Sequence, residues 1–519
     1  MSDKKFKVTY ATLASPDPML HELYDAAVAR ARENLGGKFP MYINNEPHYT
    51  AQTFSKTSPI DTNMIIGEFQ YGTEEDINKA VAAAKAAFPA WRDMPAQERV
   101  ALLNKVADTI SERLFDIAAM VSLEVGKNRL EALGDVEEAA DLIRYYCNEM
   151  EENNGFVREL KAESPRHHNR SVLKPYGVWG VISPFNFPAA LSAGPVGAAL
   201  VTGNTVVLKP AEDTPRTSVM IAQCFIDAGI PAGVFNMVTG DEVAGKALVA
   251  HPDVAGLTFT GSYEVGMSIM RNFAANGVYP RPVVIEMGGK NPAIVTKTAD
   301  LDKAALGIMR SAFGLTGQKC SACSRVYVHK DVKDAFLEKL LALTNQIKVG
   351  DPTQQDVFMG PIINQTAYEA YQRYVADLAE HGNILTGGKT LEGNGYYVAP
   401  TIVDNLPDEH PLWKHEMFAP IVAIRAYEDE NEVVALANDV KYGLTAGLYS
   451  QDEQEIQWFF DSIEAGVMYV NREAGATTGA WPGYQAFGGW KGSTATGKAA
   501  GSFYYLPQYM REQSQTVID

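Results

Sequence analysis

Between residues 176 and 287, short apolar runs alternate with longer stretches in which apolar positions recur every three or four residues. GVWGVIS, NTVVLKP and PVVIEMGG are examples of the runs, and TPRTSVMIAQCFIDAG is an example of the longer stretches. The runs predict buried strands, and the stretches predict amphipathic helices. Strands that alternate with helices indicate right-handed crossovers and a parallel, doubly wound sheet, which binds ligands beyond the carboxyl ends of its strands.

A second alternating series begins after residue 289. It contains NPAIVT, DLDKAALGIMRSAFG and SRVYVH, and it predicts a second α/β domain. The first 150 residues hold long helical patterns. The tail GSFYYLPQYMREQSQTV alternates apolar and polar residues like a strand, but no partner for it is evident within its domain. We therefore expect another subunit to cover the edge of this strand.

Composition excludes several classes of partner. The chain has 519 residues, 46% of them hydrophobic, and a net charge of −18, which argues against nucleic acid or an anionic membrane surface as the main partner. The N-terminus lacks the apolar core of a signal peptide. Prolines and asparagines interrupt the least polar stretch, residues 177–208, so no membrane-spanning helix is predicted. We expect a cytoplasmic protein.

Two of the four cysteines, Cys320 and Cys323, lie three positions apart in GQKCSACSR. Four cysteines in so long a chain make no disulfide framework. A zinc site would need two further ligands at matching spacing, and a redox pair usually lies where a strand meets a helix, whereas both cysteines here precede a strand. We therefore predict no metal. A single working nucleophile is the third possibility, which the rest of the chain has to support, and the metal and redox alternatives stay open at this point.

Two polar residues lie in apolar surroundings. Glu286, in VVIEMGGKNP, falls between an apolar run and two glycines, where burial would raise the pKa of its carboxyl and suit it to act as a general base. A satisfied structural carboxylate is the alternative. Asn186, in SPFNFP, follows a predicted strand and is a candidate oxyanion donor, or else an asparagine that stabilises the turn.

Two further motifs fit a nucleotide. Lys209 and Glu212, in LKPAEDTP, follow a buried strand at the end where a ribose would lie, and their alternative is a solvated ion pair. Gly261 and Ser262, in FTGSYEVG, fall at a predicted helix N-terminus, where free amides favour phosphate. The alternative for Gly261 is a close-packed turn.

Six motifs, SPFNFP, LKPAE, FTGS, EMGGKNP, GQKCSACSR and HEMFAP, occur in an order that resembles the aldehyde dehydrogenase superfamily over residues 40–515. The resemblance implies an α/β fold with a doubly wound nucleotide-binding domain, a second α/β catalytic domain and a β oligomerisation arm. It also implies a homo-oligomer, either a dimer, a tetramer or a hexamer. On this basis we assign residues 1–152 and 176–287 to the NAD-binding domain, 288–490 to the catalytic domain, and 153–175 and 491–519 to the arm and tail.

Individual roles follow from the same resemblance. It implies that Cys320 is the nucleophile, Glu286 the general base and Asn186 the amide that stabilises the oxyanion. Cys323 is then a small buried neighbour. The resemblance assigns the cofactor contacts to Lys209 and Glu212 for the adenosine ribose, Gly261 and Ser262 for the pyrophosphate, and Glu416 and Phe418 for the nicotinamide side.

The implied reaction is the NAD-dependent oxidation of an aldehyde to a carboxylic acid through a cysteine thiohemiacetal and a thioester. Relatives that transfer the acyl group to coenzyme A lack the glutamate, so Glu286 favours hydrolysis. Glu212 beside the ribose would repel a 2′-phosphate, which favours NAD, while Lys209 would still accommodate NADP. Two classes stay open as alternatives: a non-catalytic crystallin-like protein and a thiol esterase.

Within the superfamily the chain most resembles the 1-pyrroline-5-carboxylate dehydrogenases, which oxidise glutamate γ-semialdehyde to glutamate. GQKCSACSR, with Ser321 after the nucleophile, is typical of that subgroup, and Ser493 in FGGWKGSTATGKAAG aligns with its carboxylate-binding serine. The loop departs from the subgroup's pattern at Thr494, Ala495 and Ala500. Another semialdehyde, or an aromatic or aliphatic aldehyde beside Phe187 and Phe487, is therefore the alternative substrate.

Overall fold

The computed structural model describes residue 8 and residues 17–275 and 277–519. Several helices begin at polar caps; Asp300, for example, accepts hydrogen bonds from the amides of Asp302 and Lys303. The α-helices in this part of the chain are α1 (Pro18–Glu33), α2 (Glu74–Asp93), α3 (Ala96–Glu112), α4 (Leu114–Val125), α5 (Arg129–Glu152), α6 (Ala190–Val201), α7 (Pro215–Asp227), α8 (Glu242–Ala250), α9 (Tyr263–Ala275), α10 (Leu301–Phe313), α11 (Lys333–Thr344), α12 (Gln365–His381), α13 (Glu430–Asn438) and α14 (Glu453–Ser462). None of these helices is long and apolar enough to cross a membrane.

The strands form several sheets. In chain order they are β1 (Gly37–Phe39), β2 (Met41–Ile43), β3 (Glu46–His48), β4 (Thr53–Thr57), β5 (Ile65–Gln70), β6 (Val157–Glu159), β7 (His167–Pro175), β8 (Val178–Ile182), β9 (Thr205–Lys209), β10 (Phe235–Met237), β11 (Val254–Thr260), β12 (Val283–Glu286), β13 (Asn291–Val295), β14 (Cys323–His329), β15 (Asn383–Thr386), β16 (Thr401–Asp404), β17 (Ile421–Tyr427), β18 (Tyr442–Gly443), β19 (Thr445–Tyr449), β20 (Val467–Val470), β21 (Trp490–Lys491) and β22 (Met510–Ile518).

The first large sheet has the strand order β12-β11-β8-β9-β10-β2-β3. From β12 to β10 neighbouring strands are parallel, and β2 and β3 add antiparallel pairs at one edge. Later strands are added on both sides of β8, so the connections leave this strand in opposite directions. A doubly wound sheet opens a ligand crevice at such a point, beyond the carboxyl ends of its strands.

The second large sheet has the order β15-β16-β17-β14-β13-β19-β20, in which only β15 is antiparallel to its neighbour. The two sheets are joined by residues 287–290 alone, because β12 ends at Glu286 and β13 begins at Asn291. The carboxyl end of the first sheet therefore meets the amino ends of strands in the second. The predicted α/β fold is confirmed, whereas the exact domain boundaries stay a prediction.

A helix of small residues positions the loop that follows β8. All but one of the residues of α6 are buried, and it packs against α5. A Cβ atom on Gly194 would lie 2.7 Å from Cδ1 of Leu142, so a glycine is needed for the two helices to approach this closely. The loop between β8 and α6, which carries Asn186 and Phe187, is thereby fixed at the end of the first sheet.

The C-terminal tail forms the predicted strand and has a partner within the chain that the sequence did not reveal, whereas the expected contact with another subunit stays a prediction. β22 pairs antiparallel with β7 of the same chain, from Met510 opposite Pro175 to Ile518 opposite His167. β7 carries HHNRSVLKP, whose mostly polar residues gave no strand signal. The sheet order β22-β7-β6 leaves one edge of β22 unpaired within the described chain.

Candidate active site

A cavity of about 420 Å³ opens between α5, α10 and the segment that follows β20. Apolar side chains make up much of its wall, among them Phe187, Leu191, Met309, Phe358 and Phe487, and the polar wall includes Cys320 and Ser321. Cavities of this size and character bind small organic ligands. Cys320 is a free cysteine and partly exposed, whereas Cys147, Cys224 and Cys323 are buried.

The segment before Cys320 has an unusual backbone. Leu315 and Thr316 have positive φ angles of 49° and 57°, which are costly for residues with a Cβ. Contacts from elsewhere hold this conformation: a carboxylate oxygen of Glu131 accepts the Leu315 amide at 3.0 Å, and the Thr316 hydroxyl donates to the Gly360 carbonyl at 3.0 Å. The nucleophile loop is thus fixed by its surroundings.

Asn291 holds the cysteine itself, a role that sequence reasoning missed. Its Nδ2 donates to the carbonyls of Cys320 and Ala322, at 2.7 and 2.9 Å. Gly289 lies against the same carbonyl, and a Cβ there would come within 2.3 Å of it. Both residues belong to EMGGKNP, so the motif was the available signal, but its asparagine was not assigned a role.

Burial raises the pKa of the Cys320 thiol to about 12, and the carboxylates of Glu416 and Glu286 act in the same direction. The thiolate is the nucleophilic form of cysteine. In the protein alone the thiol is therefore protonated near neutral pH. A positive charge bound nearby, or a base that removes the proton, is needed to activate it.

The structure places Asn186 beside this loop. Its side chain is buried, and Nδ2 donates to the carbonyl of Gln318 at 3.1 Å, two residues before the cysteine. A primary amide has two N–H donors, so the second remains for a ligand oxygen. This position is compatible with the predicted oxyanion role, which stays a prediction.

Glu286 ends β12 at the junction of the two large sheets. One carboxylate oxygen accepts a hydrogen bond from the Thr494 hydroxyl at 2.8 Å, and the other is buried without a partner in the described structure. Burial raises the pKa of this carboxyl to about 8, and the Thr494 bond opposes the shift. A carboxyl that titrates near neutral pH with one free oxygen is suited to remove a proton from water. Thr494 was not predicted to contact Glu286.

Four of the six predicted cofactor contacts, Lys209, Glu212, Gly261 and Ser262, lie at or just after the carboxyl ends of the strands on either side of β8. Lys209 ends β9, and Nζ makes no hydrogen bond or ion pair with any described residue; burial lowers the pKa of its ammonium group, and Glu212 opposes this shift. Gly261 follows β11 and donates its amide to the Glu286 carbonyl at 3.1 Å. The Ser262 hydroxyl accepts the Val265 amide at 3.4 Å at the start of α9. The Gly261 amide is thus committed to the protein, while the Lys209 ammonium group and the Ser262 hydroxyl proton remain as donors that fit a nucleotide in the crevice.

Glu416 and Phe418 lie on the other side of the same region. Oε1 of Glu416 accepts the Gly289 amide at 2.9 Å, which brings this carboxylate close to the nucleophile loop. Burial raises its pKa to about 7. Phe418 has a positive φ of 53° and packs edge-on against Phe185, with ring centroids 5.8 Å apart. The strained backbone and aromatic contact are consistent with a ligand-binding position.

Of the four predicted substrate contacts, Ser321, Phe187 and Phe487 line the cavity, but Ser493 does not. Ser493 is fully buried; its hydroxyl donates to the Gly288 carbonyl at 2.8 Å and accepts the Gly443 amide at 3.0 Å. Because backbone groups occupy this hydroxyl, the prediction that it contacts a substrate carboxylate is corrected. The segment that does line the cavity comes earlier in the chain and includes Thr478, Gly479 and Ala480.

Replacing Ser493 by alanine is therefore expected to lower stability and leave substrate affinity unchanged. The change leaves a buried carbonyl and a buried amide without partners, which costs about 2 kcal/mol of the free energy of unfolding. Denaturant unfolding and steady-state kinetics would test this. An increased KM at unchanged stability would show instead that Ser493 contacts the substrate.

Comparison with known proteins agrees with the fold. The aldehyde dehydrogenase family model matches residues 47–515. A 1-pyrroline-5-carboxylate dehydrogenase of Staphylococcus saprophyticus is 37% identical over 496 residues, 95% of each chain. An alpha-ketoglutaric semialdehyde dehydrogenase of Bacillus subtilis is 40% identical over 457 residues, 86% of this chain and 92% of the relative.

Solved structures also resemble this chain in fold. The crystal structure of a Thermus 1-pyrroline-5-carboxylate dehydrogenase with bound NAD superposes with a TM-score of 0.95 at 32% identity, covering 100% of both chains. The two-sheet fold and the cysteine in its cavity are those of an oxidising enzyme that works through a thiol. This chain belongs to the aldehyde dehydrogenase family. Within the family it is similar to 1-pyrroline-5-carboxylate dehydrogenases.

Proposed function

We propose that this enzyme oxidises L-glutamate γ-semialdehyde to glutamate with NAD as the hydride acceptor. The observation that carries the proposal is the pairing of two groups at the junction of the sheets: a free thiol on the cavity wall, Cys320, and a buried carboxylate, Glu286, with one unpartnered oxygen. The relatives named for 1-pyrroline-5-carboxylate support the substrate.

The chemistry follows from these side chains. The Cys320 thiol first releases its proton to solvent water. Sγ then attacks the aldehyde carbon as the thiolate, and the carbonyl oxygen takes the negative charge, which the free Asn186 N–H and the backbone amide of Cys320 stabilise. NAD held by Lys209, Glu212 and Ser262 would supply the acceptor for the hydride on that carbon, and loss of the hydride would leave the carbon as a thioester to Cys320. Glu286 then removes a proton from a water molecule, which attacks the thioester carbonyl. The carboxylic acid leaves, and the cysteine sulfur is regenerated.

The residues present fit a dinucleotide. Lys209 has a free ammonium group at the ribose end of the crevice, and Glu212 forms no hydrogen bond or ion pair with another described residue, so its oxygens can accept ribose hydroxyls. The Glu212 carboxylate disfavours a 2′-phosphate. Gly261 and Ser262 lie at the N-terminus of α9 for the pyrophosphate, and Glu416 and Phe418 lie on the nicotinamide side.

Activity is expected to rise with pH through about 8. The pKa of Glu286 is raised to about 8 by burial, so this carboxyl is protonated at pH 6 and cannot accept a proton from water. Above pH 8 it is ionised and works as a base. The steady-state rate at saturating substrate, measured from pH 6 to 9.5, should therefore increase about tenfold per pH unit on the acid limb; a flat profile would exclude this assignment.

The function is tested by NADH formation over an aldehyde panel: glutamate, succinic and glutaric semialdehydes, benzaldehyde and hexanal, each with NAD and NADP. We expect glutamate semialdehyde with NAD to lead in kcat/KM by about tenfold, or about 1.4 kcal/mol of transition-state preference. If another aldehyde has the highest kcat/KM, the proposed mechanism is retained and the assignment of glutamate semialdehyde as the substrate is wrong. Thioester hydrolysis without any effect of NAD or NADP would instead indicate an esterase.

We also propose that the protein is a cytoplasmic homo-oligomer. Within the described residues, one edge of the nine-residue strand β22 is unpaired and presents backbone donors and acceptors, a surface that proteins usually cover. Light scattering on the purified protein would give the mass of the assembly, and removal of residues 510–519 should reduce it to that of the monomer. Cell fractionation tests the compartment.

A further inference from the structure

Asp135 of α5 holds the first turn of α6. One of its carboxylate oxygens accepts the Ala190 backbone amide at 2.9 Å, at the residue where α6 begins. The amides at the start of a helix have no partner within the helix, and Ala189, the N-cap residue here, has no side-chain oxygen to satisfy them. A residue 55 positions away in the sequence thus supplies the cap and ties α6 to α5.

The loop that carries Asn186 is continuous with this first turn. The Phe187 carbonyl accepts the Leu191 amide at 3.0 Å, so the helical hydrogen bonding begins within the loop. Asn186 directly precedes Phe187, and its Nδ2 donates to the Gln318 carbonyl of the nucleophile loop at 3.1 Å. A movement of the start of α6 would therefore change the distance between the Asn186 amide and the nucleophile.

The other carboxylate oxygen of Asp135 meets a buried cation. Nζ of Lys127 lies 3.1 Å from it, and neither side chain is exposed to solvent. The same ammonium group lies 3.5 Å from the centroid of the Phe187 ring, a cation–π contact. Lys127 therefore contacts both the carboxylate that caps α6 and the aromatic ring next to Asn186.

The nucleophile loop is attached to the same helix. Glu131 lies one turn before Asp135 on α5, a spacing that places the two side chains on one helix face. One carboxylate oxygen of Glu131 accepts the Leu315 amide at 3.0 Å, and the other lies 2.6 Å from Nζ of Lys319, the residue before Cys320. Helix α5 thus gives both loops of the site a common support.

A fully buried ion pair such as Lys127 and Asp135 points to a role other than stability. The removal of two charges from water costs about as much free energy as their attraction returns, and apolar replacements of similar volume are often equally stable. Each charge becomes costly once it loses the other, so the pair resists any movement that separates its members. Such a pair is suited to hold the segments attached to it in one arrangement.

We propose that Asp135, with Lys127 as its counter-ion, is a positioning residue of the oxyanion site. It holds the start of α6 so that the Asn186 amide meets the aldehyde oxygen once Cys320 has attacked the carbon. This inference rests on the oxyanion role proposed for Asn186. Asp135 is fully buried and does not line the cavity, so it acts through the loop and does not touch the substrate. A misplacement of about 1 Å at an oxyanion donor is enough to slow catalysis strongly.

The test replaces the ion pair by two neutral pairs that differ in one hydrogen bond. Lys127→Met/Asp135→Leu removes both charges and the acceptor for the Ala190 amide, whereas Lys127→Met/Asp135→Asn removes the charges and keeps an acceptor. Neither variant leaves an unpaired buried charge. We expect the leucine variant to lower kcat/KM by about tenfold to a hundredfold and the asparagine variant by about threefold. Both should bind NAD as tightly as the wild type, measured by tryptophan fluorescence.

A double-mutant cycle separates this role from a purely structural one. In an Asn186→Ala background the oxyanion amide is absent, so the leucine variant should lose less than about twofold there. The same loss in both backgrounds, or no loss in the wild-type background, would overturn the inference. If the leucine variant does not fold, the asparagine variant carries the same cycle, and its loss must disappear in the Asn186→Ala background.

Two aldehydes, hexanal and glutamate semialdehyde, are compared in each variant. Every aldehyde passes through the same oxyanion, so we expect the same factor of loss for both. A loss confined to one aldehyde would mean that the pair acts through the cavity wall at Phe187, and it would contradict the inference. The matched control is Lys333→Met/Asp404→Leu, which removes a mostly buried ion pair, 2.8 Å between nitrogen and oxygen, outside the cavity and should leave kcat/KM unchanged.

Failure of the proposed function gives a different result. Asn186→Ala alone is expected to lower kcat/KM by about a hundredfold or more. If it does not, the oxyanion assignment is wrong and the inference about Asp135 fails with it. If the wild-type enzyme oxidises no aldehyde with NAD or NADP, the proposed function itself has failed.

Discussion

Replacing Cys320 by alanine is expected to lower kcat/KM for every aldehyde by about ten-thousandfold or more. The thiol is the one free, partly exposed cysteine on the cavity wall, and without it no covalent adduct forms from which the hydride can leave. Because the side chain is small and already partly exposed, the unfolding temperature should stay within about 2 °C of the wild-type value. NADH formation and calorimetry measure the two effects.

The matched control is Cys323→Ala. This cysteine is buried, and its thiol contacts the Arg325 carbonyl at 3.6 Å, away from the cavity. We expect a loss of about 1 kcal/mol in the free energy of unfolding with the activity retained. Equal loss of activity in both variants would mean that the two thiols act together, and the single-nucleophile assignment would be wrong.

Replacing Glu286 by glutamine is expected to separate the two halves of the reaction. Glutamine has nearly the same shape and still accepts the Thr494 hydrogen bond, but it cannot take a proton from water. Thioester formation should continue, and its hydrolysis should slow by about a thousandfold. Stopped-flow absorbance should show a burst of about one NADH per active site, and mass spectrometry should detect the acyl group on Cys320.

The control is a variant of Thr494, the residue that donates a hydrogen bond to the Glu286 carboxylate. Thr494→Val removes the hydrogen bond that the Glu286 carboxylate accepts from the described part of the chain, a bond that lowers the pKa of this carboxyl, so the acid limb of the pH profile should move to higher pH while turnover persists. If Glu286→Gln turned over at the wild-type rate, or showed no burst and no acyl-enzyme, another group would have to be the base.

The fold was largely predictable because its strands are buried on both faces. Such strands read as continuous apolar runs, and the helices between them are amphipathic, so the alternation from β8 to β12 is visible along the chain. The pairing of β22 with β7 could not be predicted, because β7 is mostly polar and lies about 340 residues before β22 in the sequence. Polar strands without a buried face leave little signal.

The candidate catalytic residues were predictable from the sequence because each is a chemically active side chain in unusual local surroundings. Cys320, Glu286 and Asn186 stand out as polar groups among glycines, prolines and apolar residues. Asn291 and Thr494 did not stand out in this way. Asn291 bonds to a carbonyl 29 residues away and Thr494 to a carboxylate 208 residues away, and such pairs are brought together only by tertiary contacts. Ser493 was misassigned for the same reason, since its backbone partners are distant in sequence.

The segment before Cys320, which is held by contacts from distant parts of the chain, also has a consequence for how the enzyme folds. Leu315 and Thr316 keep their left-handed backbone through partners 184 and 44 residues away, and Asn291 adds a third restraint from another strand. Contacts of such sequence separation form late in folding. During refolding, secondary structure should therefore recover before catalysis does, and turnover reports that α5, both large sheets and the segment around residue 360 have assembled around one thiol.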